Sequence, residues 1–329
     1  MSGVGTFSPD LLNLDPALEI TRIADAIRHQ VLKVLKRRGV VLGLSGGIDS
    51  SVCAALCVRA LGASRVLGLF MPERDSADES ATLARRLAEG LGIETVLEDI
   101  GPILEAAGCY RRRDAAIQTL VPEYGEGWKE KLVIASDSSV YAIFHLVVES
   151  PQGQRRKLRL TRDSYLGIVA AMNFKQRTRK MMEYYHADRL MYAVVGTPNR
   201  LEYDQGFFVK GGDGAADLKP IAHLYKTQVY QLAEHLGIPA EIRRRPPTTD
   251  TYSLPQSQEE FYFALPYRQM DLCLYGCDHG FAPEAVAEAA GLSPELAKRA
   301  YLDIESKRRA TRYLHLAPLL VQDGEGVEQ

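Results

Sequence analysis

Apolar residues recur at helical spacing over residues 18–38, and the stretch ends in a basic turn before Gly39. That pattern predicts an amphipathic helix with Gly39 as its stop. Residues 40–44 then read Val-Val-Leu-Gly-Leu, a run with no polar face, as expected of a strand buried on both sides. The same alternation predicts a helix at about 50–61, a strand at 65–71, a helix at 78–91, a strand at 93–98 and a helix around 103–120. Residues 121–163 break the rhythm. Within them, 140–149 and 156–160 flank Pro151-Gln152-Gly153 and predict a β-hairpin. The alternation resumes with a helix at 164–185, a strand at 190–195 and a helix at 223–236. The last third is mostly helical, interrupted by turns at Pro246-Pro247 and Pro255.

Strands alternating with helices predict an α/β fold built on a doubly wound, mostly parallel sheet. One domain over residues 1–329 is expected, with an insertion at about 121–163 and a helical C-terminal part from about 251. A chain of 329 residues, 46% of them hydrophobic, can bury a sizeable core. Ligands of such sheets gather at the carboxyl ends of strands, which directs attention to the segments after Leu44 and Val195.

A formal charge of −2 gives no global attraction for nucleic acid or an acidic membrane. The basic runs Arg111-Arg112-Arg113, Arg155-Arg156-Lys157, Arg243-Arg244-Arg245 and Lys307-Arg308-Arg309 read as solvated faces. Residues 1–15 lack a basic region followed by an apolar run, and no apolar segment has the length of a bilayer. The expectation is a soluble cytoplasmic protein with neither nucleic acid nor membrane as partner. Five cysteines fit that compartment. Cys53/Cys57 and Cys273/Cys277 share helix faces, but without a CxxC or a well-spaced histidine they read as buried thiols, not metal ligands.

The first strand, ending in Gly43 and Leu44, runs into Ser45-Gly46-Gly47-Ile48-Asp49-Ser50-Ser51 and a helix. Two glycines let successive N–H groups converge on one point, and the helix N-terminus adds positive potential. Ser45, Ser50 and Ser51 offer further donors. The loop is neither GxxxxGK[ST] nor GxGxxG. Its bland reading is a Gly-rich turn. A rival reading takes Gly43-Leu44-Ser45-Gly46-Gly47 as the GxSxG of an α/β-hydrolase, with Ser45 as nucleophile. That needs a later acid and histidine, and neither His279 nor His315 follows a convincing strand end. SGGxDS instead resembles the loop of pyrophosphatase-type ATP enzymes, which cleave between the α and β phosphates. Asp49 facing a polyphosphate calls for a counter-ion, which points to Mg²⁺.

A second polar cluster begins at Asn173-Phe174-Lys175-Gln176-Arg177 and continues through Gly196-Thr197-Pro198-Asn199-Arg200-Leu201-Glu202. It runs on through the glycine-rich stretch 206–217, Lys219-Pro220-Ile221, Leu224-Tyr225-Lys226-Thr227-Gln228-Val229 and Pro246-Pro247-Thr248-Thr249-Asp250. In this order after SGGIDSS, these pieces closely resemble the ammonia-dependent NAD⁺ synthetases, over about 40–91 and 173–250. The resemblance implies an adenine-nucleotide α-hydrolase-like, Rossmann-like fold. It implies ATP contacts at Gly43, Leu44, Ser45, Gly46, Gly47, Ile48, Asp49, Ser50, Ser51, Thr197, Lys226 and Thr248. Asp49 and Glu202 match Mg²⁺ ligands; Arg177, Lys210 and Asp217 match contacts to the deamido-NAD⁺ acceptor, and Lys307 a further one. The resemblance gives Asp49 and Lys226 the catalytic roles. The implied reaction adenylates a carboxylate, releases pyrophosphate, and lets ammonia displace AMP. A homodimer with acceptor sites at the subunit interface is implied as well.

This chain departs from the family pattern in three places. Residues 121–163 are longer than usual. A QxDE-like stretch appears as Gln256-Ser257-Gln258-Glu259-Glu260, and a His-Lys pair as Ser306-Lys307. All lie toward the acceptor, so a paralogue amidating another carboxylate stays as the alternative. A non-enzymatic nucleotide sensor is disfavoured by the presence of Asp49 and Glu202. A glutamine-using enzyme needs a second domain with its own cysteine, for which the chain has no room, so ammonia is the expected donor unless a separate glutaminase supplies it.

Overall fold

Asp15 accepts hydrogen bonds from the amides of Ala17 and Leu18, and Pro16 fills the first helical position, which starts helix α1 (Pro16–His29). The structure is a computed structural model and describes residues 7–76, 78–134, 144–248, 251–263 and 265–320. After α1 come β1 (Val40–Gly43), α2 (Ile48–Leu61), β2 (Val66–Phe70), α3 (Asp78–Leu91) and β3 (Glu94–Leu97). The helix expected around 103–120 is two, α4 (Gly101–Ala106) and α5 (Cys109–Gln118). Gly108 breaks it with a left-handed φ of 71°. Strands β4 (Lys129–Ile134), β5 (Phe144–Glu149) and β6 (Arg155–Arg159) follow, then the long helix α6 (Arg162–Leu190) and β7 (Ala193–Val194). The rest is helical: α7 (Arg200–Asp204), α8 (Lys226–His235), α9 (Ala240–Arg244), α10 (Tyr267–Asp278), α11 (Pro283–Ala290) and α12 (Pro294–Thr311).

The main sheet has the order β3-β2-β1-β7, with every pair parallel. Its inner strands β1 and β2, and β7, are buried from both faces, which is why β1 has no polar side, while the edge strand β3 is largely exposed. Val40 and Leu42 pack with residues of α1, α2 and α8, while Val41 joins Leu67, Leu69 and Ala187 on the opposite face. β7 is shorter than the strand expected at 190–195, because α6 runs on to Leu190 and Met191 turns the chain with a φ of 56°. Cys53, Cys57, Cys109 and Cys273 are buried free thiols and Cys277 is half-buried. Burial pushes the Cys57 thiol up to about 12, so packing explains these residues. Among the described residues no helix is long and apolar enough to cross a membrane.

The expected hairpin is β5–β6, in antiparallel register; the part of it assigned to 140–143 lies outside the described residues. Its unexpected neighbour is β4, which completes a three-stranded sheet of order β4-β5-β6. Leu132, Leu146 and Val148 bury its inner face against Ile117, Ile168 and Met172. The alternation of β4 is hidden in the sequence because an inward position is Glu130, which is fully buried. Glu130 faces Arg113 at 3.5 Å, and Arg113 also reaches Asp75 (3.2 Å). The run Arg111-Arg112-Arg113 is therefore not a wholly solvated face: Arg113 is buried among carboxylates.

Burial raises the Glu130 carboxyl to about 7, against the opposing pull of Arg113 and Lys175. A folded-state value above the unfolded one of about 4.3 gives stability that is complete below that pH and lost as pH climbs through 7. Glu130→Gln, which cannot ionise, is expected to gain stability relative to the parent between pH 5 and pH 8, on the order of 1–3 kcal/mol. Paired melting curves at the two pH values check this. An equal difference at both would refute it.

Candidate active site

β1 is followed in sequence by β2 on one side of it and has β7 on the other, so the loops leaving β1 and β7 diverge and open a crevice. A cleft of about 850 Å³ lies there. Gly43, Leu44, Ser45, Gly47, Ile48, Asp49 and Ser50 form one wall, and Thr197, Glu202, Lys226 and Thr248 contribute to the others.

The first loop is built from its own side chains. Ser45 Oγ accepts the Gly47 N–H (3.2 Å) and shares a hydrogen bond with Ser50 Oγ (3.1 Å). Ser50 and Ser51 donate back to the Gly47 carbonyl at 3.0 and 2.8 Å. Gly46 has a φ of 72°, and a Cβ there would lie 2.4 Å from the Ser80 carbonyl oxygen. Glycine is required at that turn on both counts. Gly46 and Ser51 are buried behind the loop and do not line the cleft, so Ser51 braces the turn instead of offering a donor to a ligand. No histidine among the described residues bonds Ser45, whose hydroxyl is engaged within the loop.

Across the crevice, Glu202 and Lys226 face Asp49 of that wall. The Lys226 ammonium, nearly fully buried, donates to Asp49 Oδ2. Asn199 ties the group together: its Nδ2 donates to Asp49 Oδ1 (3.3 Å), and its Oδ1 accepts the Glu202 N–H (3.1 Å). Glu202 returns the bond by accepting the Asn199 N–H (3.2 Å), which closes a capping box on α7. Gln258 Nε2 donates to the remaining Glu202 oxygen at 2.8 Å.

Burial, then the nearby Asp49 charge, raises Glu202 to about 7; Lys226 and the bonds from Gln258 and Asn199 pull the other way. Two crowded carboxylates of this kind suit a divalent cation that takes its other ligands from phosphates and water, so the residues fit Mg²⁺. Lys226 sits at the start of α8, where the buried Asp271 of α10 accepts the Thr227 N–H and Oγ1 (both 2.7 Å) and the Lys226 N–H (3.3 Å). Asn199, Gln258 and Asp271 were not singled out from sequence. A capping-box spacing marks Asn199, whereas nothing local marks Asp271.

On the acceptor side, Arg177 Nε donates to the Lys210 carbonyl (3.2 Å), and both side chains line the cleft. Lys210 Nζ donates in turn to the carbonyl of Tyr313 (2.9 Å). Asp217 lies off the cleft wall and accepts the Val194 N–H at 2.7 Å, holding the end of β7. Lys307 is also off the wall and mostly buried. It donates to Asp303 (2.6 Å) and to the carbonyl of Tyr262, a residue that does line the cleft. Neither Lys307 nor Arg245, a cleft-wall residue bonded to Ser80 Oγ at 2.8 Å, is a solvated basic face.

The model of the family described as NAD synthase matches residues 19–120 and 154–313. The chain belongs to the NAD synthase family. A curated "NH(3)-dependent NAD(+) synthetase" of Rhizobium meliloti is 63% identical over 98% of this chain and 97% of its own length. One of Mesorhizobium japonicum is 63% identical over 96% of this chain and its full 100%. Among solved structures, an NH3-dependent NAD synthetase from Campylobacter jejuni has a TM-score of 0.61 at 22% identity, covering 94% of this chain and 100% of its own. An NMN synthetase from Francisella tularensis has a TM-score of 0.64 at 22% identity, covering 94% and 99%. These two likenesses speak for the fold alone. The family model passes over 121–153, where the chain carries β4 and β5.

Proposed function

We propose that this member of the NAD synthase family is an ammonia-dependent NAD⁺ synthetase. It would use ATP to adenylate the nicotinate carboxylate of deamido-NAD⁺ and let ammonia displace AMP, giving NAD⁺, AMP and pyrophosphate. The observation that carries this reading is the Asp49–Lys226–Asn199–Glu202 constellation at the mouth of an anion-binding loop, in a chain 63% identical to curated enzymes of that name.

A carboxylate resists attack by ammonia until its oxygen becomes part of a good leaving group, and transfer to the α-phosphate of ATP provides that. The backbone amides of the loop and the N-terminus of α2 hold the leaving pyrophosphate. Lys226 offsets charge on the phosphates, within a wall that positions them. Asp49 and Glu202 would hold Mg²⁺, which when bound neutralises phosphate charge and aligns it. Thr197 and Thr248 line the cleft and would contact the nucleotide. Arg177 and Lys210 serve the acceptor. Asp217 and Lys307 act one step back, through β7 and Tyr262. No side chain need become a covalent nucleophile. Free thiols suit a reducing cytoplasm as the place of work.

The same reading includes a homodimer. Leu166, Met181 and Tyr185 are 49%, 53% and 57% exposed on α6. With Arg177 they share one face of the helix, so a second copy covering that apolar surface would meet the acceptor end of the cleft. Met181→Asp is expected to shift sedimentation from dimer to monomer and to cost acceptor affinity. A parent chain that sediments as a monomer and still turns over would remove the dimer from the proposal. For the reaction itself, AMP and NAD⁺ released together from ATP, Mg²⁺ and ammonium only when deamido-NAD⁺ is present is the expected result. ATP binding without turnover would assign another carboxylate.

A further inference from the structure

Residues 121–153 lie outside what the family model matches. Besides packing on α5 and α6, they grip one further segment. The Glu130 carbonyl accepts the Leu254 N–H at 3.0 Å, the Glu130 N–H donates to Ser253 Oγ at 2.7 Å, and the Gln256 side-chain amide donates to the Leu132 carbonyl. These contacts leave β4 at Glu130 and Leu132, on the edge that does not pair with β5, and fasten the loop of residues 253–256 alongside it. Lys131 Nζ fastens the far end, donating to the Pro255 carbonyl (3.1 Å) and the Glu260 carboxylate (3.0 Å). Lys175, fully buried, secures the near end by donating to the Thr251 carbonyl (2.7 Å).

The gripped segment reaches the cleft. Thr248 and Ser257 form an antiparallel bridge, and the Gln258 N–H donates to the Pro247 carbonyl at 3.2 Å. Gln258 then donates to Glu202. The segment is also where the sequence departs from the family's QxDE-like stretch.

We propose that the inserted sheet is a positioning device for the catalytic cleft: β4 holds the loop of residues 251–258 along its free edge, and that loop delivers Gln258 to Glu202. Lys131, Ser253 and the β4 backbone are positioning groups, and none lines the cleft. Gln258 is the residue through which they act. The inference rests on the reading of Glu202 as a ligand of Mg²⁺ accompanying ATP.

The test compares Lys131→Met, Lys131→Met with Ser253→Ala, and Gln258→Ala in the full chain. Amide hydrogen exchange follows residues 251–260, calorimetry follows ATP binding with Mg²⁺ and in EDTA, and steady-state assays separate the KM for ATP from that for ammonium. Faster exchange is expected in the grip variants. With it should come about tenfold weaker Mg²⁺-dependent ATP binding, matched by Gln258→Ala. ATP binding in EDTA and the KM for ammonium should not move, and Lys131→Arg should restore the parent values. Faster exchange with unchanged Mg²⁺-dependent binding would overturn the proposal, as would a Gln258→Ala chain indistinguishable from the parent. Should the double variant not fold, Lys131→Met alone, at a partly exposed position, separates the same outcomes. Failure of the parent to form NAD⁺ would count against the proposed function, while the ATP calorimetry would still decide the role of the insertion.

Discussion

Lys226→Met is expected to lower kcat/KM for ATP about 10³-fold, the size of effect seen when one preorganised charge is removed from a closed site. The side chain is 2% exposed, and the carboxylates it faces belong to Asp49 and Glu202. Burial alone would lower its pKa, yet those two carboxylates hold it above the ordinary lysine value, so it enters the reaction as a cation. Removing it does two separable things. It deprives the phosphates of a fixed positive charge, and it leaves two neighbouring carboxylates without their counter-charge, a loss that costs about 3–5 kcal/mol in a fully buried setting. Asp49 is partly exposed, so the stability loss should fall below that range. Adding Asp49→Asn should return most of the melting temperature and none of the activity, because the repulsion is relieved while the phosphates still lack their cation. Lys226→Arg should not restore function either, since a wider planar fork does not fit a slot shaped around an ammonium. Melting curves and AMP release on the three variants test this. More than a tenth of parental activity in Lys226→Met would refute the role.

How much of this was legible in the sequence depends on how local each signal is. The run 40–44 gave away β1 because a strand covered on both faces has no polar side, and Gly46 is fixed by a local turn. Asp49, Lys226 and Glu202 could be named because each stands in a short motif, and the structure gathers them at one end of the sheet. What stayed hidden was non-local. β4 was missed because buried Glu130 breaks its alternation, and its counter-charge, Arg113, comes from a helix that reads as a basic surface. Asp271 caps α8 from 44 residues away in sequence, and Gln258 reaches Glu202 across 56. No window of periodicity spans such distances. Asp217 and Lys307 stand in recognisable motifs, yet a motif does not say which way a side chain turns. Here they face β7 and Tyr262.

Asp49→Asn should separate ATP binding from the use of Mg²⁺. Asp49 engages Lys226 and accepts from Asn199 (3.3 Å), and it stands on the first turn of α2 beside the loop proposed to receive the phosphates. A carboxylate in that position repels a polyphosphate and is useful only with a divalent cation between them. Asparagine keeps the shape and can still accept a hydrogen bond, but it carries no charge. It also releases Lys226 from its ion pair, making that cation available to the phosphates. Free ATP in EDTA should therefore bind the variant at least as tightly as the parent. The gain that Mg²⁺ gives to ATP binding should shrink, and AMP release should fall roughly 10³-fold. Metal-free binding is kept or tightened while turnover is lost, a result that general damage to the fold cannot produce. If the variant lost affinity for ATP equally with and without Mg²⁺, Asp49 would be a structural partner of Lys226 and the metal would have to be held elsewhere.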